Sequence, residues 1–310
     1  MTPPKRYRSL SEYLREKFGC RVYKITLDAG FTCPNRDGTL GVGGCAYCDE
    51  YGSGSGLFKQ GVSIGEQLLR GIERARRRFK AKKFIAYLQA FTNTYAPLDK
   101  LKEIYDQAVD HPDIVGLSIG TRPDCVPDEV LDLIRSYADR LMVWVEYGLQ
   151  SANVETLRRI NRGHGVAEFV DAVLRSKRRG LNVCAHVIIG LPGEGREDFE
   201  ETANLLAALR VEGVKIHSLY IPKGCRLAEE YLAGRLKLMS REEYVEAVCD
   251  FLELLPPQTV IQRLTGETSP DRLLAPDWVL DKAKTLRMID EELERRGSFQ
   301  GKRCKFKGEV

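Results

Sequence analysis

The sequence lacks the features that would place the protein in a membrane or outside the cell. No run approaches the roughly 18 consecutive apolar residues that a membrane-spanning helix needs. The N-terminal stretch Met1–Leu10 has no apolar segment of the kind that a signal peptide carries. We therefore expect a cytoplasmic protein with no membrane partner. In that reducing compartment, the nine cysteines are expected to be ligands or buried thiols rather than disulfides.

A strong imbalance of charge is also missing. The chain carries 48 basic and 44 acidic residues, for a net charge of +4, which does not by itself indicate a nucleic-acid binder. It has no internal repeat, low-complexity tract or long linker, so a second independent domain is not expected. With 310 residues and 43% hydrophobic content, the chain has enough apolar mass for one large core.

What the sequence does contain is a regular alternation of short apolar runs and amphipathic stretches. The runs are apolar on both faces, as is typical of strands in a parallel sheet covered by helices. An α/β fold is therefore expected, in the form of a parallel βα barrel that is complete or partial. The predicted strands are Val22–Leu27, Phe84–Leu88, Ile114–Ile119, Met142–Tyr147, Val183–Ile189, Lys215–Ile221 and Thr259–Leu264.

Capping signals place helices between these strands. Ser63 and Glu66 predict a capping box before a helix that ends near Lys80, and Ser240 with Glu243 predicts a second box. Pro127 is expected to open a helix over Asp128–Tyr137. A short helix is expected over Ser9–Phe18, and another near Asp277–Arg296. We therefore divide the chain into an N-terminal extension (1–20), a barrel (21–264) and a C-terminal extension that packs on the barrel (265–310).

Three cysteines lie close together directly after the first predicted strand. Cys33, Cys45 and Cys48 fall within sixteen residues of a glycine-rich loop. Three protein ligands leave one position of a metal centre open for a reactant, and ligation by thiolates alone suits an iron–sulfur cluster. The loop leaves the C-terminal end of its strand, where the active sites of βα barrels are built.

A zinc site is the alternative that these residues leave open. A fourth ligand, either Cys20 or a histidine, would close a structural zinc centre. The protein would then be a zinc-stabilised, non-catalytic binding module. The other cysteines form no close pair, and Cys184 and Cys249 lie in apolar contexts that predict burial.

The segment from Leu27 through Cys33 to Gly38, continued by Cys45-Ala-Tyr-Cys48, resembles the radical S-adenosylmethionine (SAM) superfamily. Within it, the likeness is to a YhcC/YtqA-like group related to the elongator-type enzymes, and it covers roughly residues 5–290. The commonest superfamily motif spaces its first two cysteines by three residues. Here eleven residues separate them, as in the group itself, while Tyr47 keeps the aromatic position of the closing pair.

This resemblance implies a fold, two cofactors and a reaction. The fold would be a partial or near-complete TIM-like barrel. A 4Fe–4S cluster would be held by the three cysteines, with SAM on its fourth iron. An electron from a flavodoxin or ferredoxin type of donor would cleave SAM to a 5′-deoxyadenosyl radical, which abstracts a hydrogen from the substrate. The elongator relationship makes tRNA wobble-uridine modification the leading hypothesis, with a protein or small metabolite as open alternatives.

The resemblance also places cofactor and substrate contacts at the C-terminal ends of the strands. His186 interrupts an apolar strand, and it is either a satisfied core histidine or a residue that orients SAM or substrate. Each of the other polar residues could instead have a purely structural role, as a strand cap or as a partner in a core hydrogen bond. The candidate SAM-binding residues are Tyr47, Gln89, Asn93, Ser118, Thr121, Glu146, Gln150, His186 and Tyr220.

Three arginines are candidates for substrate binding. Arg122 and Arg158 follow the third and fourth strands, and Arg263 follows the seventh, where its forked guanidinium would suit a carboxylate or phosphate. The basic tail Lys302–Lys307 is a further candidate for nucleic acid. The denser basic runs at 74–83 and 175–179 end helices that precede strands. They are therefore expected on the opposite face, where the helix dipole favours cations.

Overall fold

The computed structural model describes residues 5–52, 54 and 56–306. Residues 1–4 and 307–310, which include the start of the N-terminal extension and Lys307 of the basic tail, lie outside the described residues. Seven parallel strands form one sheet in the order β1-β2-β3-β4-β5-β6-β8. All seven predicted strands are confirmed, with these bounds: β1 Val22–Leu27, β2 Lys83–Leu88, β3 Ile114–Thr121, β4 Met142–Gln150, β5 Asn182–Ile189, β6 Gly213–Ser218 and β8 Val260–Arg263.

Helices follow the strands, and a small antiparallel pair, β7 (Ile221–Pro222) and β9 (Leu273–Ala275), lies beyond the sheet. The predicted strand over Lys215–Ile221 is thus divided between β6 and β7. The helices are α1 Leu10–Phe18, α2 Ile64–Phe79, α3 Leu98–Val109, α4 Asp128–Tyr137, α5 Val154–Arg159, α6 Val166–Arg178, α7 Arg196–Ala208, α8 Arg226–Leu232, α9 Arg241–Leu254 and α10 Lys282–Arg295.

The capping predictions hold where the local residues satisfy both halves of the motif. Ser240 and Glu243 form the complete box at α9. At α2, the Ser63 hydroxyl accepts from the backbone N–H of Glu66 at 3.3 Å, which is one half of the expected box. The expected helix near Asp277–Arg296 is interrupted, because Asp277–Leu280 form a 3-10 turn before α10 begins.

The strand alternation gives the inside of the barrel two layers. An apolar floor includes Leu14 from α1, Trp144 and the buried Cys184. Two residues further along each strand the side chains are polar, as with Glu146 after Trp144 and His186 after Cys184. The outer face of the sheet is covered by helices through an extensive apolar core. The layering sets a polar cavity on an apolar base.

The sheet is a partial barrel, because β1 and β8 stand at its two edges and pair with each other nowhere in the described residues. The helix α1 contacts both edge strands. The backbone N–H of Ile261 in β8 donates to the carbonyl of Arg8 at 2.8 Å. The N-terminal segment therefore closes the base of the seam. In the described part of the chain, no helix is both long and apolar enough to cross a membrane.

Candidate active site

The cysteine loop is held in place by one backbone and one side-chain hydrogen bond to the segment after α5. The N–H of Ala46 donates to the carbonyl of Ile160 at 2.8 Å, and the Asn161 amide donates to the carbonyl of Gly44 at 2.8 Å. Within the loop, the N–H of Cys48 donates to the carbonyl of Cys45 at 3.0 Å, which makes the C-x-x-C turn. Hydrogen bonds within the chain therefore fix the positions of these cysteines.

Nitrogen donors surround two of the three sulfurs. Arg162 Nη1 lies 3.5 Å and Asn35 Nδ2 lies 3.7 Å from Cys45 Sγ, while Arg36 Nη1 lies 3.6 Å from Cys48 Sγ. Burial opposes the thiolate of Cys45, but the adjacent guanidinium of Arg162 outweighs it, so the pKa of Cys45 is lowered. Burial and the neighbouring Cys45 raise the pKa of Cys48 to about 12. Two adjacent thiolates repel unless a bound cation lies between them.

The three cysteine sulfurs are not gathered as tightly as ligands of one bound zinc ion would be. A zinc ion binds each thiolate at about 2.3 Å, which brings its sulfurs within about 4 Å of one another. Among the described residues, the one set of three candidate ligand atoms that all lie within 4.8 Å of each other is Glu146, Cys184 and His186. The sulfurs of Cys33, Cys45 and Cys48 do not form such a set. Cys20 precedes β1 and so lies at the opposite end of that strand from Cys33.

All three cysteines line one cavity at the C-terminal ends of the strands, together with most of the predicted contacts. Asn93, Ser118 and Arg158 are not in the wall. Their predicted ligand roles stay predictions, as do those of the residues that line the cavity. The residues of the two predicted sets that line it are Tyr47, Gln89, Thr121, Glu146, Gln150, His186, Tyr220, Arg122 and Arg263.

The three predicted residues outside the wall have protein partners. Asn93 is fully buried and donates to the carbonyl of Gly120 at 2.7 Å, which ties the end of β2 to β3. The Ser118 hydroxyl donates to Glu146. Arg158 lies on the exposed side of α5 and pairs with Glu155 at 2.6 Å.

Glu146 is the centre of a buried ionic network. Its side chain has no exposed surface and accepts hydrogen bonds from Lys24, Lys215, Ser118 and His186. Burial raises its pKa, but the two ammonium groups outweigh that and hold it well below its usual range. The Glu146 carboxylate, a candidate SAM-binding group, is therefore already paired with protein cations.

His186 combines a protein partner with a place in the cavity wall, and its role toward SAM or substrate stays a prediction. Its Nε2 lies 2.7 Å from Glu146 Oε2, as in a satisfied core histidine. Its ring also lines the cavity. Burial and the nearby Lys215 lower its pKa to about 4, so the ring is neutral near pH 7 and donates one hydrogen to the carboxylate.

Arg122 and Gln150 shape the wall around Arg162. The buried Arg122 forms a two-pronged pair with Asp124, at 2.9 Å and 2.8 Å, and donates to the backbone carbonyl of Arg162 at 2.9 Å. Gln150 has a left-handed backbone, with φ 76°, where the register between β4 and β5 shifts. The shift lets Arg162 reach the carbonyl of Gly148 at 2.6 Å.

Sequence reasoning missed several residues of the site. Lys215 and His217 occupy alternate positions of β6, and both line the cavity with Tyr87. A lysine and a histidine two apart in an apolar strand were a usable signal. Arg162 and Arg36 gave no comparable signal, because their approach to the sulfurs depends on loop geometry.

Two family models match most of the chain. The model of the radical SAM superfamily matches residues 33–206, and the model of the radical SAM C-terminal domain matches residues 211–295. The uncharacterized protein YtqA of Bacillus subtilis is 43% identical over 298 residues, covering 96% of this chain and 92% of that protein. Protein YhcC of Escherichia coli is 41% identical over 285 residues, covering 92% of this chain and 91% of its own length.

The similarity to elongator proteins covers about half of the chain in sequence but most of the chain in fold. Elongator complex protein 3 of Homo sapiens is 33% identical over 154 residues, which is 48% of this chain and 27% of that protein. The solved structure of Elp3 from the archaeon Methanocaldococcus infernus has a TM-score of 0.67 and 19% identity. The match covers 90% of this chain and 64% of that one. At that identity the structural match shows a shared fold.

Proposed function

Since the chain belongs to the radical SAM superfamily and is thereby a radical SAM enzyme with a 4Fe–4S cluster and SAM as cofactors, we propose that it modifies the wobble uridine of a tRNA. We also propose that Cys33, Cys45 and Cys48 are the cluster ligands. When bound, the two cofactors supply the one-electron chemistry that ends in abstraction of a hydrogen from the substrate.

One observation carries the ligand assignment. The three thiols line the same cavity at the C-terminal mouth of the barrel. Donor nitrogens of Arg162, Arg36 and Asn35 lie beside two of their sulfurs. Hydrogen bonds to ligand sulfurs stabilise the thiolate charge and tune a cluster. The chain's own part is to hold these ligands and to keep water out of the cavity.

The SAM contacts are proposed for the polar residues that face the same cavity. Gln89 directly after β2 and Thr121 at the end of β3 would bind the methionine end, while Gln150, His186 and Tyr220 would lie along the adenosine. Thr92 supports the first of these sites. Its buried hydroxyl lines the cavity and has no hydrogen-bond partner in the described structure. Asn93 and Ser118 would act indirectly, by fixing Gly120 and Glu146.

The tRNA substrate is supported by the elongator resemblance and by charge near the mouth. Arg158 and Arg159 lie on α5, which follows β4, and their side chains are 71% and 45% exposed. Cations so placed would meet a phosphate backbone. The reducing electron would come from a flavodoxin or ferredoxin type of donor.

A reconstitution experiment tests the cluster assignment. Full-length protein is reconstituted anaerobically with iron and sulfide, reduced, and assayed for 5′-deoxyadenosine released from SAM. Wild type and Cys20→Ala are expected to be brown and to release it, while Cys45→Ala should lose both properties and keep its circular-dichroism spectrum. Release of 5′-deoxyadenosine by Cys45→Ala at the wild-type rate would refute the ligand assignment.

A nucleoside comparison tests the substrate. Total tRNA is digested from cells that carry the gene, lack it, or carry the Cys45→Ala or Cys20→Ala allele. We expect one wobble-uridine derivative to disappear in the deletion and in the Cys45→Ala strain, and to remain in the Cys20→Ala strain. Identical nucleoside profiles in all four strains would overturn the tRNA proposal and leave the cofactor chemistry standing.

A further inference from the structure

The polar layer inside the barrel contains more cations than anions. Glu146 contributes the one buried carboxylate of the described network, whereas Lys24 and Lys215 both donate to it. The Lys215 side chain is only 4% exposed and that of Lys24 is 15% exposed. One carboxylate faces two ammonium groups, and burial lowers the pKa of Lys215 to about 7, so the positive charge of Lys215 is incompletely stabilised within the barrel.

Arg263 adds a third cation to the same region. It lines the cavity with Lys215, and its partner is Glu267, at 3.5 Å. Glu267 does not fully neutralise the charge of Arg263, because the Glu267 side chain is 54% exposed and also pairs with Lys282 at 3.2 Å. In the cavity wall, the cationic side chains outnumber the carboxylates of Glu146 and Asp49; they are Arg36, Arg122, Arg162, Lys215 and Arg263.

His217 supplies a donor that has no partner among the described residues. Its buried Nε2 makes no hydrogen bond, although the ring lines the cavity beside Lys215 and Arg263. Burial and Arg263 hold the pKa of His217 well below its usual range, so the ring is neutral. A neutral imidazole can still donate one hydrogen bond to an anion. A buried polar atom without a partner costs free energy unless a ligand satisfies it.

These features favour an anion over a cation. Glu146, Cys184 and His186 are close enough for a metal ion, but two ammonium groups already occupy the carboxylate. Lys215 Nζ also lies 3.9 Å from the centre of the Tyr87 ring, so the cation is held from a second side. A metal ion would have to displace both lysines, whereas an oxyanion would neutralise the charge that is in excess.

We propose that Lys215, Arg263 and His217 form an oxyanion subsite in the cavity, which binds a carboxylate or phosphate group of the substrate. The inference rests on the proposed function, because it takes this cavity to be where the substrate meets the cofactors. It identifies the substrate class as an organic molecule that carries such a group. The group enters the barrel beyond the cysteines, where Glu146 and its lysines form the polar layer.

Anion-dependent stability tests the subsite without turnover. The midpoint of thermal unfolding of the full-length reconstituted protein is measured against sodium acetate, inorganic phosphate and neutral acetamide, at constant ionic strength set with chloride. A ligand that binds the folded state raises the midpoint in proportion to its affinity. We expect acetate or phosphate to raise it and acetamide to leave it unchanged. The stronger of the two anions shows whether the natural group is a carboxylate or a phosphate.

Two substitutions and a matched control locate the effect. Lys215→Met and Arg263→Gln should each weaken the anion affinity at least tenfold, while Lys100→Met, on the exposed side of α3, should leave it unchanged. Arg263→Gln keeps the subsite testable if Lys215→Met fails to fold, since Arg263 is outside the hydrogen-bonded set around Glu146. Equal shifts for anion and acetamide, or unchanged affinity in Arg263→Gln, would overturn the subsite.

The subsite and the tRNA proposal can fail separately. Loss of the anion effect with an altered nucleoside profile in cells would remove the subsite alone. A confirmed anion effect with an unchanged nucleoside profile would keep the subsite and assign it to a different oxyanion substrate.

Discussion

At the scale of single residues, burial decides which ionisable groups are unusual. Glu194 follows β5, and its carboxylate accepts from the Ser151 hydroxyl. Burial raises its pKa to about 7. Glu200 on α7 is the opposite case, because hydrogen bonding to Arg303 lowers its pKa. The two glutamates should therefore affect stability in opposite directions as pH changes.

We expect Glu194→Gln to become more stable than the wild type as pH rises from about 4.5 to 7. Over that range the unfolded wild-type chain releases the Glu194 proton while the folded protein keeps it, so the wild type loses stability. Glutamine has no such proton. The measurement is the free energy of unfolding in urea at several pH values, and a constant difference between the two proteins would contradict the raised pKa.

Glu200→Gln is the control for this comparison. In the wild type, the Glu200 carboxylate stabilises the folded state at pH values above its ordinary pKa. That contribution is lost as the pH falls through the lowered pKa of the folded state. The variant should therefore be less stable than the wild type near pH 7, and the two should converge in acid.

The residues that sequence reasoning identified are those whose signal is local. The close spacing of Cys33, Cys45 and Cys48 within one loop was enough to identify them as candidate ligands. Arg162 did not, because its contact with Cys45 joins positions 117 residues apart. Lys215 was assigned to a strand, but which face of that strand it occupies depends on the sheet register.

At the scale of elements, the irregular end of β4 positions the arginine beside Cys45. A Cβ added to Gly148 would lie 2.6 Å from both Arg162 Nη2 and Gln150 Nε2, so a larger residue would force these two side chains to move. The sequence predicted the strand because it is apolar and bounded by turn residues. It did not predict the register shift after Gly148, which depends on how β4 meets β5.

We expect Gly148→Ala to displace Arg162 and weaken the cluster site. The reconstituted variant should lose its brown absorbance several-fold faster than the wild type when an iron chelator is added. Gly65→Ala is the matched control, since nothing lies within 4 Å of the added Cβ in α2. It should stabilise the protein by about 1 kcal/mol and leave bleaching unchanged. Equal bleaching rates in both variants would contradict the role of Arg162.

At the scale of the whole molecule, the two ends of the described chain meet at the base of the barrel. The buried Gln300 accepts from the N–H of Arg8 at 2.9 Å and donates to the carbonyls of Pro256 and Thr259 at 2.7 Å and 2.8 Å. The strand–helix alternation predicted the barrel. Closure of its base by residues near 8 and 300 could not be read from a pattern, because it joins segments with no shared periodicity.

We expect Gln300→Ala to lower the free energy of unfolding by roughly 3 kcal/mol, because it leaves two carbonyls and one N–H without partners. Urea denaturation measures the change. Lys302→Ala, at an exposed neighbouring position, should stay within about 0.5 kcal/mol of the wild type. A similar loss in both variants would mean that the end of the chain matters through general packing rather than through these three bonds.

The cysteine loop is anchored to the segment around Ile160 by amide groups. Amides neither require iron nor react with oxygen. We therefore expect oxidation by air to destroy the proposed iron–sulfur cluster and to leave the fold of the cysteine loop intact. Such damage would be repairable, and a cell that regains iron could restore existing molecules without synthesising new ones.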